Sequence, residues 1–375
     1  MNLNLLIAPD KFKGSLSAGE VAESLEAGLR RRYGKDLDID SCPIADGGDG
    51  TLDIAVSAGF HRVYVNVDGP TGERILASYG ERDGVAFIEL AEASGLRRLP
   101  GGHLAPLTAS TYGTGQLIAN AISRGNRTVV LAIGGSATSD GGAGLVQALG
   151  ARLFSVNGDL LDRGGGALAQ IERVEFADMK KRIDGVEFVI ASDVDNPLLG
   201  PAGAAPVFGP QKGASPDDIS ALERGLSLWA SVVTATTGRY AAEAPGSGAA
   251  GGVGFTGIAL LNATMTSGAD MVLDLVRFSD RVRDASLVIT GEGSLDAQTL
   301  GGKGPARVAH HAQQAGVPVV AAAGRCTLTR SELMSAGIRN AYTLDAIQPD
   351  LSLCMAHAGE LLERVGEQIA EHELP

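Results

Sequence analysis

Short apolar runs that end in glycine-rich polar loops and give way to helical periodicity occur at both ends of the 375-residue chain. This alternation constrains the fold more than any other feature. Leu3 to Ala8 reads as a strand, and after a polar turn Ser17-Ala-Gly-Glu20 forms an S-x-x-E capping box. Behind it Val21, Ala22, Leu25 and Leu29 recur at helical spacing. A second strand is expected at Leu37 to Ile44, so the N-terminal segment reads strand, loop, helix, strand, loop, helix. Near the C-terminus the pattern returns: a strand at 286–290, a helix from about Pro305 to Gln314, an apolar strand Val317 to Ala322 and a last helix near 352–371. Short strands alternating with helices predict a parallel sheet with covered faces, whose ligands sit beyond the carboxyl ends of the strands.

The middle of the chain has a different texture. Strands expected at Val63–Val67, Val85–Leu90, Val129–Ile133 and Val186–Ser192 are separated by long glycine-rich connections. One helix is well signalled there, with Ser215 as N-cap, Pro216 in the first turn and Asp217 and Asp218 behind it. The length suits two domains, and 44% hydrophobic residues can fill a core in each. The expected division is a first α/β domain made of 1–67 and 276–375, with a second α/β domain, 68–275, inserted between.

A formal net charge of -13 argues against general binding to nucleic acid or to an anionic membrane, both of which need clustered lysine and arginine. An anionic ligand would therefore need local positive contacts. Cys42, Cys326 and Cys354 are scattered and odd in number, which suits a reducing compartment better than a disulfide framework. No apolar stretch approaches the ~18 residues of a membrane span, and the expectation is a soluble cytoplasmic protein.

Glycine, 52 residues of 375, is about twice its usual share of roughly 7%. It concentrates in five polar loops: Asp10-Lys-Phe-Lys-Gly-Ser15, Asp46-Gly-Gly-Asp-Gly-Thr51, Gly134 to Gly144, Asp193-Val-Asp-Asn-Pro-Leu198, and Gly291-Glu-Gly-Ser-Leu-Asp296 with its continuation to Gly304. Four begin within a few residues of an expected strand end, where backbone N–H groups can cradle an anion. Standard signatures fail. In 297–304 Ala297 stands at the first glycine of a Walker A loop and Gly304 at its Ser/Thr, while Gly246-Ser-Gly-Ala-Ala-Gly251 matches G-x-G-x-x-G with no strand before it. Neither G-x-S-x-G nor H-E-x-x-H occurs, and the histidines are dispersed apart from His310-His311, read as an exposed helical pair.

What remains is carboxylates, lysines and glycine loops, an inventory that suits phosphoryl transfer with Mg2+. Asp193 and Asp195 face one side if their strand continues, and such a pair can hold a metal or take a proton from an attacking hydroxyl. The amides of Gly291 and Gly293 and the ammonium of Lys303 can meet phosphates, and Glu292 or Asp296 a metal or nucleotide. Each also fits ordinary structure, as a capped turn or as a helix start with a surface lysine. Lys11 and Lys13 taken alone read as a solvated face.

Together the strings IAPDKFKGSLSA (7–18), ADGGDGT (45–51), TYGTGQLI (111–118), IGGSATSDGGAGLVQALGA (133–151), SDVDNPLLGPAGAAPVFGPQKGA (192–214) and ITGEGSLDAQTLGGKGP (289–305) resemble the two-domain bacterial glycerate kinase family. Departures are small: Ser139 stands where that family often has asparagine, and Gly248 fits its alanine pattern loosely. The resemblance implies ATP- and Mg2+-dependent phosphorylation of D-glycerate, usually to 2-phosphoglycerate. It also implies a Rossmann-like parallel-sheet domain built from both chain ends, an inserted α/β domain and an active site in the interdomain cleft. Carried over by motif, Asp10, Lys11, Asp46, Asp49, Asp193, Asp195, Glu292, Asp296 and Lys303 become candidate site residues; their chemistry makes Asp193 the expected general base and Lys11 a phosphate-neutralising partner. Asp10, Asp46 and Asp49, joined by Arg325, become substrate-binding candidates. Gly291, Glu292, Gly293 and Lys303 become nucleotide-binding candidates, and Asp195 and Asp296 metal ligands. The expected partners are D-glycerate and ATP, with neither nucleic acid nor membrane, and the expected assembly is a monomer or homodimer. A kinase for another small hydroxy acid and a non-catalytic small-anion-binding regulator are the alternatives.

Overall fold

The computed structural model describes residues 3–34 and 37–375. In chain order the strands are β1 (Leu3–Pro9), β2 (Leu37–Ser41), β3 (His61–Asp68), β4 (Arg74–Arg82), β5 (Val85–Glu89), β6 (Thr128–Ala132), β7 (Arg152–Ser155), β8 (Ile171–Glu175), β9 (Glu187–Ala191), β10 (Thr264–Thr266), β11 (Leu287–Leu295), β12 (Val319–Cys326) and β13 (Asn340–Thr343). They divide between two compact units, Met1–Asp46 with Ala269–Pro375, and Gly47–Gly268.

The first unit is built on a five-stranded sheet in the order β13-β12-β11-β1-β2, parallel throughout. From β1 the chain steps one way to β2, and from β11 it steps the other way through β12 to β13. The order therefore reverses between β1 and β11, which is the topological switch point of an open parallel sheet. Leu5, Ile7, Leu25, Leu29, Leu362, Val365 and Ile369 fill its core. The predicted capping box starts the helix Ala18–Tyr33, with Ser17 Oγ accepting from Glu20 N and Glu20 Oε2 accepting from Ser17 N. That helix lies so close to Ala358–Glu373 that a Cβ on Gly28 would sit 1.8 Å from the Glu363 carbonyl oxygen. The expected last helix is in fact two, Leu351–Ala356 and Ala358–Glu373, separated at His357.

The second unit holds a six-stranded sheet, β10-β9-β6-β5-β4-β3, and the antiparallel pair β7-β8. β3, β4 and β5 run antiparallel, while β5, β6, β9 and β10 are parallel. Its core includes Tyr79, Phe188, Trp229 and Phe255. The boundary after Asp46, rather than after Val67, has a plain cause: β3 pairs with β4 from His61↔Glu81 to Asp68↔Arg74. The helix signalled by Ser215 runs Pro216–Thr237, capped reciprocally by Ser215 and Asp218. Among the described residues, no helix is long and apolar enough to cross a membrane.

Candidate active site

At the switch point of the first unit the chain leaves β1 through Asp10, whose backbone N–H donates to the carbonyl oxygen of Gly291 on β11 (2.8 Å). The Asp10 side chain is buried, 6% exposed, and its Oδ1 accepts from the Lys11 backbone N–H at 2.6 Å. The Lys11 ammonium lies 3.9 Å from Asp10 Oδ1 and 3.8 Å from Asp46 Oδ1. Burial pushes the Asp10 carboxyl up to about 7; Lys11 opposes the rise, while Asp46 and Glu292 add to it. Glu292 is raised as well, chiefly by burial, although Thr299 Oγ1 donates to it and Lys303 is close enough to oppose the shift. Three carboxylates and one lysine thus share the mouth between two parallel strands.

The helix Gly304–Gln314 begins at this mouth, with Lys303 as its N-cap residue and no side-chain cap. A methyl group added at Gly304 would come within 3.9 Å of Asp10 Oδ2. Uncapped N–H groups and the positive end of the helix dipole are therefore presented where an anion would neutralise them. Lys303 Nζ now donates to Gln298 Oε1 (2.9 Å). Asp296 caps the short helix Ala297–Leu300, its Oδ1 accepting from Gln298 N at 2.9 Å. Arg325 is exposed, and its Nε donates to Ser294 Oγ.

The stretch Gly291 to Leu295, read from sequence as loop, continues β11 and pairs with β12 as far as Leu295↔Cys326. This changes the reason for one glycine. A Cβ on Gly291 would lie 2.0 Å from the Ala322 carbonyl oxygen, so close approach of the neighbouring strand requires glycine there. Gly293 is more open, its nearest backbone neighbours being 3.6 Å from a notional Cβ. The G-x-G-x-x-G match resolves in the same way: Cβ atoms on Gly248 and Gly251 would meet the carbonyl oxygens of Pro197 and Thr138 at 2.2 and 2.0 Å.

The second unit gathers polar groups at the carboxyl ends of its own parallel strands. Asp193, just beyond β9, accepts at Oδ1 from Ser267 Oγ (2.8 Å) and Gly268 N (2.9 Å), both just beyond β10. Because β9 ends at Ala191, strand alternation does not bring Asp195 beside Asp193; Asp195 is exposed. Asp49 lies 3.7 Å from Arg97 Nε, and a Cβ on Gly135 would come 2.7 Å from its Oδ1. Glu89 ends β5, only 1% exposed, and accepts from Gly50 N, Leu52 N and Arg97. Burial pushes it up to about 7 against the Leu52 and Arg97 contacts. Glu89 and Ser267 escaped the sequence reading because each sits at an ordinary strand end. Arg97 escaped it because it lies in a short 3-10 turn, Leu96–Arg98, with no acid or lysine loop to mark it. Lys13 is exposed, and of the histidine pair His310 is exposed whereas His311 lies 3.5 Å from Asp270.

Carboxylates, lysines and glycine turns at the carboxyl ends of parallel strands are the equipment of an α/β phosphotransferase. Comparison with known proteins agrees with that class. The sequence profile of the glycerate kinase family matches residues 5–373. A protein of Halalkalibacterium halodurans named glycerate kinase is 42% identical over 370 residues, 98% of this chain and 97% of its own. The glycerate 2-kinase of Escherichia coli is 43% identical over 329 residues, covering 87% and 86%. The crystal structure of a putative glycerate kinase 2 from Salmonella typhimurium LT2 superposes with a TM-score of 0.81 at 38% identity, covering 99% of this chain and 98% of that one. The chain belongs to the glycerate kinase family.

Proposed function

We propose that the protein transfers the γ-phosphoryl group of ATP to D-glycerate, giving 2-phosphoglycerate and ADP, with Mg2+ as the accompanying ion. The observation that carries this reading is the switch point of the first unit, where buried Asp10 and half-buried Asp46 flank Lys11, and half-buried Glu292 adds its charge beside Asp10 near the uncapped start of the helix Gly304–Gln314. Carboxylates that raise one another's affinity for protons mark a place where a cation or a proton transfer can use them. Among the described residues no three His, Cys, Asp or Glu side chains form a complete metal cage, and Mg2+ delivered with a nucleotide needs only one or two carboxylates besides the phosphates. When bound, the ion supplies charge neutralisation at the phosphate oxygens.

The chain's own residues divide the remaining work. Lys11, Lys303, the Gly293 backbone and the helix start take phosphate oxygens, with Glu292 beside them. Asp296, whose Oδ2 receives only a long 3.5 Å contact from Ser294, keeps capacity for the metal, and Asp195, exposed in the second unit, is a separate candidate for it. Gly291 is left with a packing role. Asp193 accepts the proton of the glycerate hydroxyl as that oxygen bonds to phosphorus and the bond to the bridging oxygen of ADP breaks. Asp10, Asp46, Asp49 and Arg325 orient the acceptor. The reaction is assigned to the cytoplasm, a compartment in which the free thiols of Cys42, Cys326 and Cys354 stay reduced.

The test is coupled ADP release with MgATP and D-glycerate, with phosphorus NMR of the product. Formation of 2-phosphoglycerate is expected. Formation of 3-phosphoglycerate would revise the orientation of the acceptor, and no turnover with D-glycerate would refute the assignment.

A further inference from the structure

The Gly134–Gly144 loop of the second unit begins at the strand ends. There Gly134 N donates to Gly47 O (3.1 Å), Leu96 N donates to Gly135 O (3.0 Å), and Gly135 lies against Asp49. Its far half runs into the core. Asp140, 0% exposed, accepts from Thr111 N, Thr111 Oγ1, Ser110 Oγ, Gly142 N and Gly144 N. The Gly141 carbonyl oxygen accepts from Trp229 Nε1 (3.0 Å) and Thr256 Oγ1 (2.6 Å). Between these two halves, the Thr138 carbonyl oxygen accepts from Lys212 Nζ at 2.6 Å.

Lys212 is the anomaly. It is 1% exposed, its ammonium has three donors, and Thr138 O is its single hydrogen-bond acceptor among the described residues. The adjoining Thr138 Oγ1 and Ser139 Oγ are buried without partners. Burial draws Lys212 down to about 8 despite the nearby Asp140. A buried cation with one acceptor is held at a desolvation cost that an apolar side chain would not carry. Packing alone therefore does not call for lysine here.

We infer that Lys212 is a positioning residue for the phosphoryl acceptor: by gripping the Thr138 carbonyl it fixes the loop that seats Gly134 and Gly135 beneath Asp49. The inference rests on the kinase reading given above. Lys212 touches neither substrate nor reacting atoms. It acts through the loop, because a carbonyl held by an ammonium cannot swing, and the turn joined to it by Ala137 and Ser136 keeps one register against Ser94 (Ala137 N to Ser94 O, 2.9 Å).

The test is Lys212→Met in the full chain, with thermal unfolding, steady-state kinetics in both substrates and hydrogen exchange of the loop amides. In the folded variant kcat/KM for D-glycerate is expected to fall by about tenfold or more. KM for MgATP should be unchanged, and exchange at Gly134 and Ala137, whose N–H groups bond to Gly47 O and Ser94 O, should be faster. A purely structural lysine would instead leave the kinetics of the folded protein alone. Wild-type kcat/KM for D-glycerate in a folded variant overturns the proposal. Should Lys212→Met not fold, Lys212→Gln, shorter and uncharged, carries the test through exchange, and unchanged protection of the loop overturns it. If the wild-type protein itself fails to turn over D-glycerate, the functional reading falls, while exchange still decides whether Lys212 restrains the loop.

Discussion

Asp10→Asn separates the electrostatic load at the switch point from the bonds around it. In the folded protein the Asp10 carboxyl titrates at about 7 against an ordinary 3.8, with burial the main cause. Below pH about 4 the group is protonated in both folded and unfolded chains and has no effect on stability. As pH rises toward 7 the unfolded chain releases the proton while the folded chain keeps it, so the folded state loses stability through that window and recovers none above it. The gap is about 3 pH units at about 1.4 kcal/mol each, or about 4 kcal/mol at most. Asparagine still accepts the Lys11 backbone bond through its amide oxygen but carries no charge. Urea denaturation followed by far-UV circular dichroism should therefore find wild type and variant within error of each other at pH 4, aside from any constant offset. By pH 8 the variant should be the more stable by an amount approaching that figure, and it should turn over little or no substrate. An equal difference at pH 4 and pH 8 would refute the argument, since only a titrating group can make the gap grow.

Asp193→Asn keeps an oxygen that can accept from Ser267 and Gly268 and loses only the base. Turnover should fall by about 10²–10⁴, or about 2.7–5.5 kcal/mol, with KM for MgATP unchanged, and a kcat within about threefold of wild type in the coupled assay would remove Asp193 from the mechanism. Gly28→Ala should destabilise the first unit by about 1–3 kcal/mol or more, because a Cβ 1.8 Å from the Glu363 carbonyl oxygen forces the two helices apart. Gly19→Ala on the same helix meets nothing within 4 Å and should be neutral or stabilising by up to about 1 kcal/mol, so equal melting temperatures for the two variants would contradict the packing account.

Local signals were legible where chemistry acts over a few residues. Both N-caps read from Ser17 and Ser215 are present, and strands expected at Val85–Leu90 and Val129–Ile133 appear as β5 and β6. Elements fixed by distant partners were harder to read. β3 was seen as a strand, but its pairing with β4, which carries Gly47 onward into the second unit, depends on Arg74–Arg82, a segment with no strong apolar alternation. The reach of β11 to Leu295 is likewise decided by β12, and glycine-rich sequence argued against it. Among site residues, the acids of the glycine loops stood out because turns concentrate them, whereas Glu89 and Lys212 acquire their unusual environments from burial, which emerges only on folding.

Glycine density and site chemistry are two separate signals in this chain, and they come apart on inspection of neighbours. Gly291 yields to Ala322, Gly134 to the Cα of Gly48 at 2.4 Å from a notional Cβ, and Gly251 to Thr138, so in each case backbone packing alone demands the missing side chain. None of these needs a ligand. The carboxylates differ: no packing requirement places Asp10, Glu292 and Glu89 where burial raises their proton affinity. A polar group held at such a cost in stability signals function when a cation or a proton transfer can use it. The glycines let strands and loops approach closely enough to bury these acids, and the buried acids, rather than the glycines that first draw notice, mark where catalysis is to be sought.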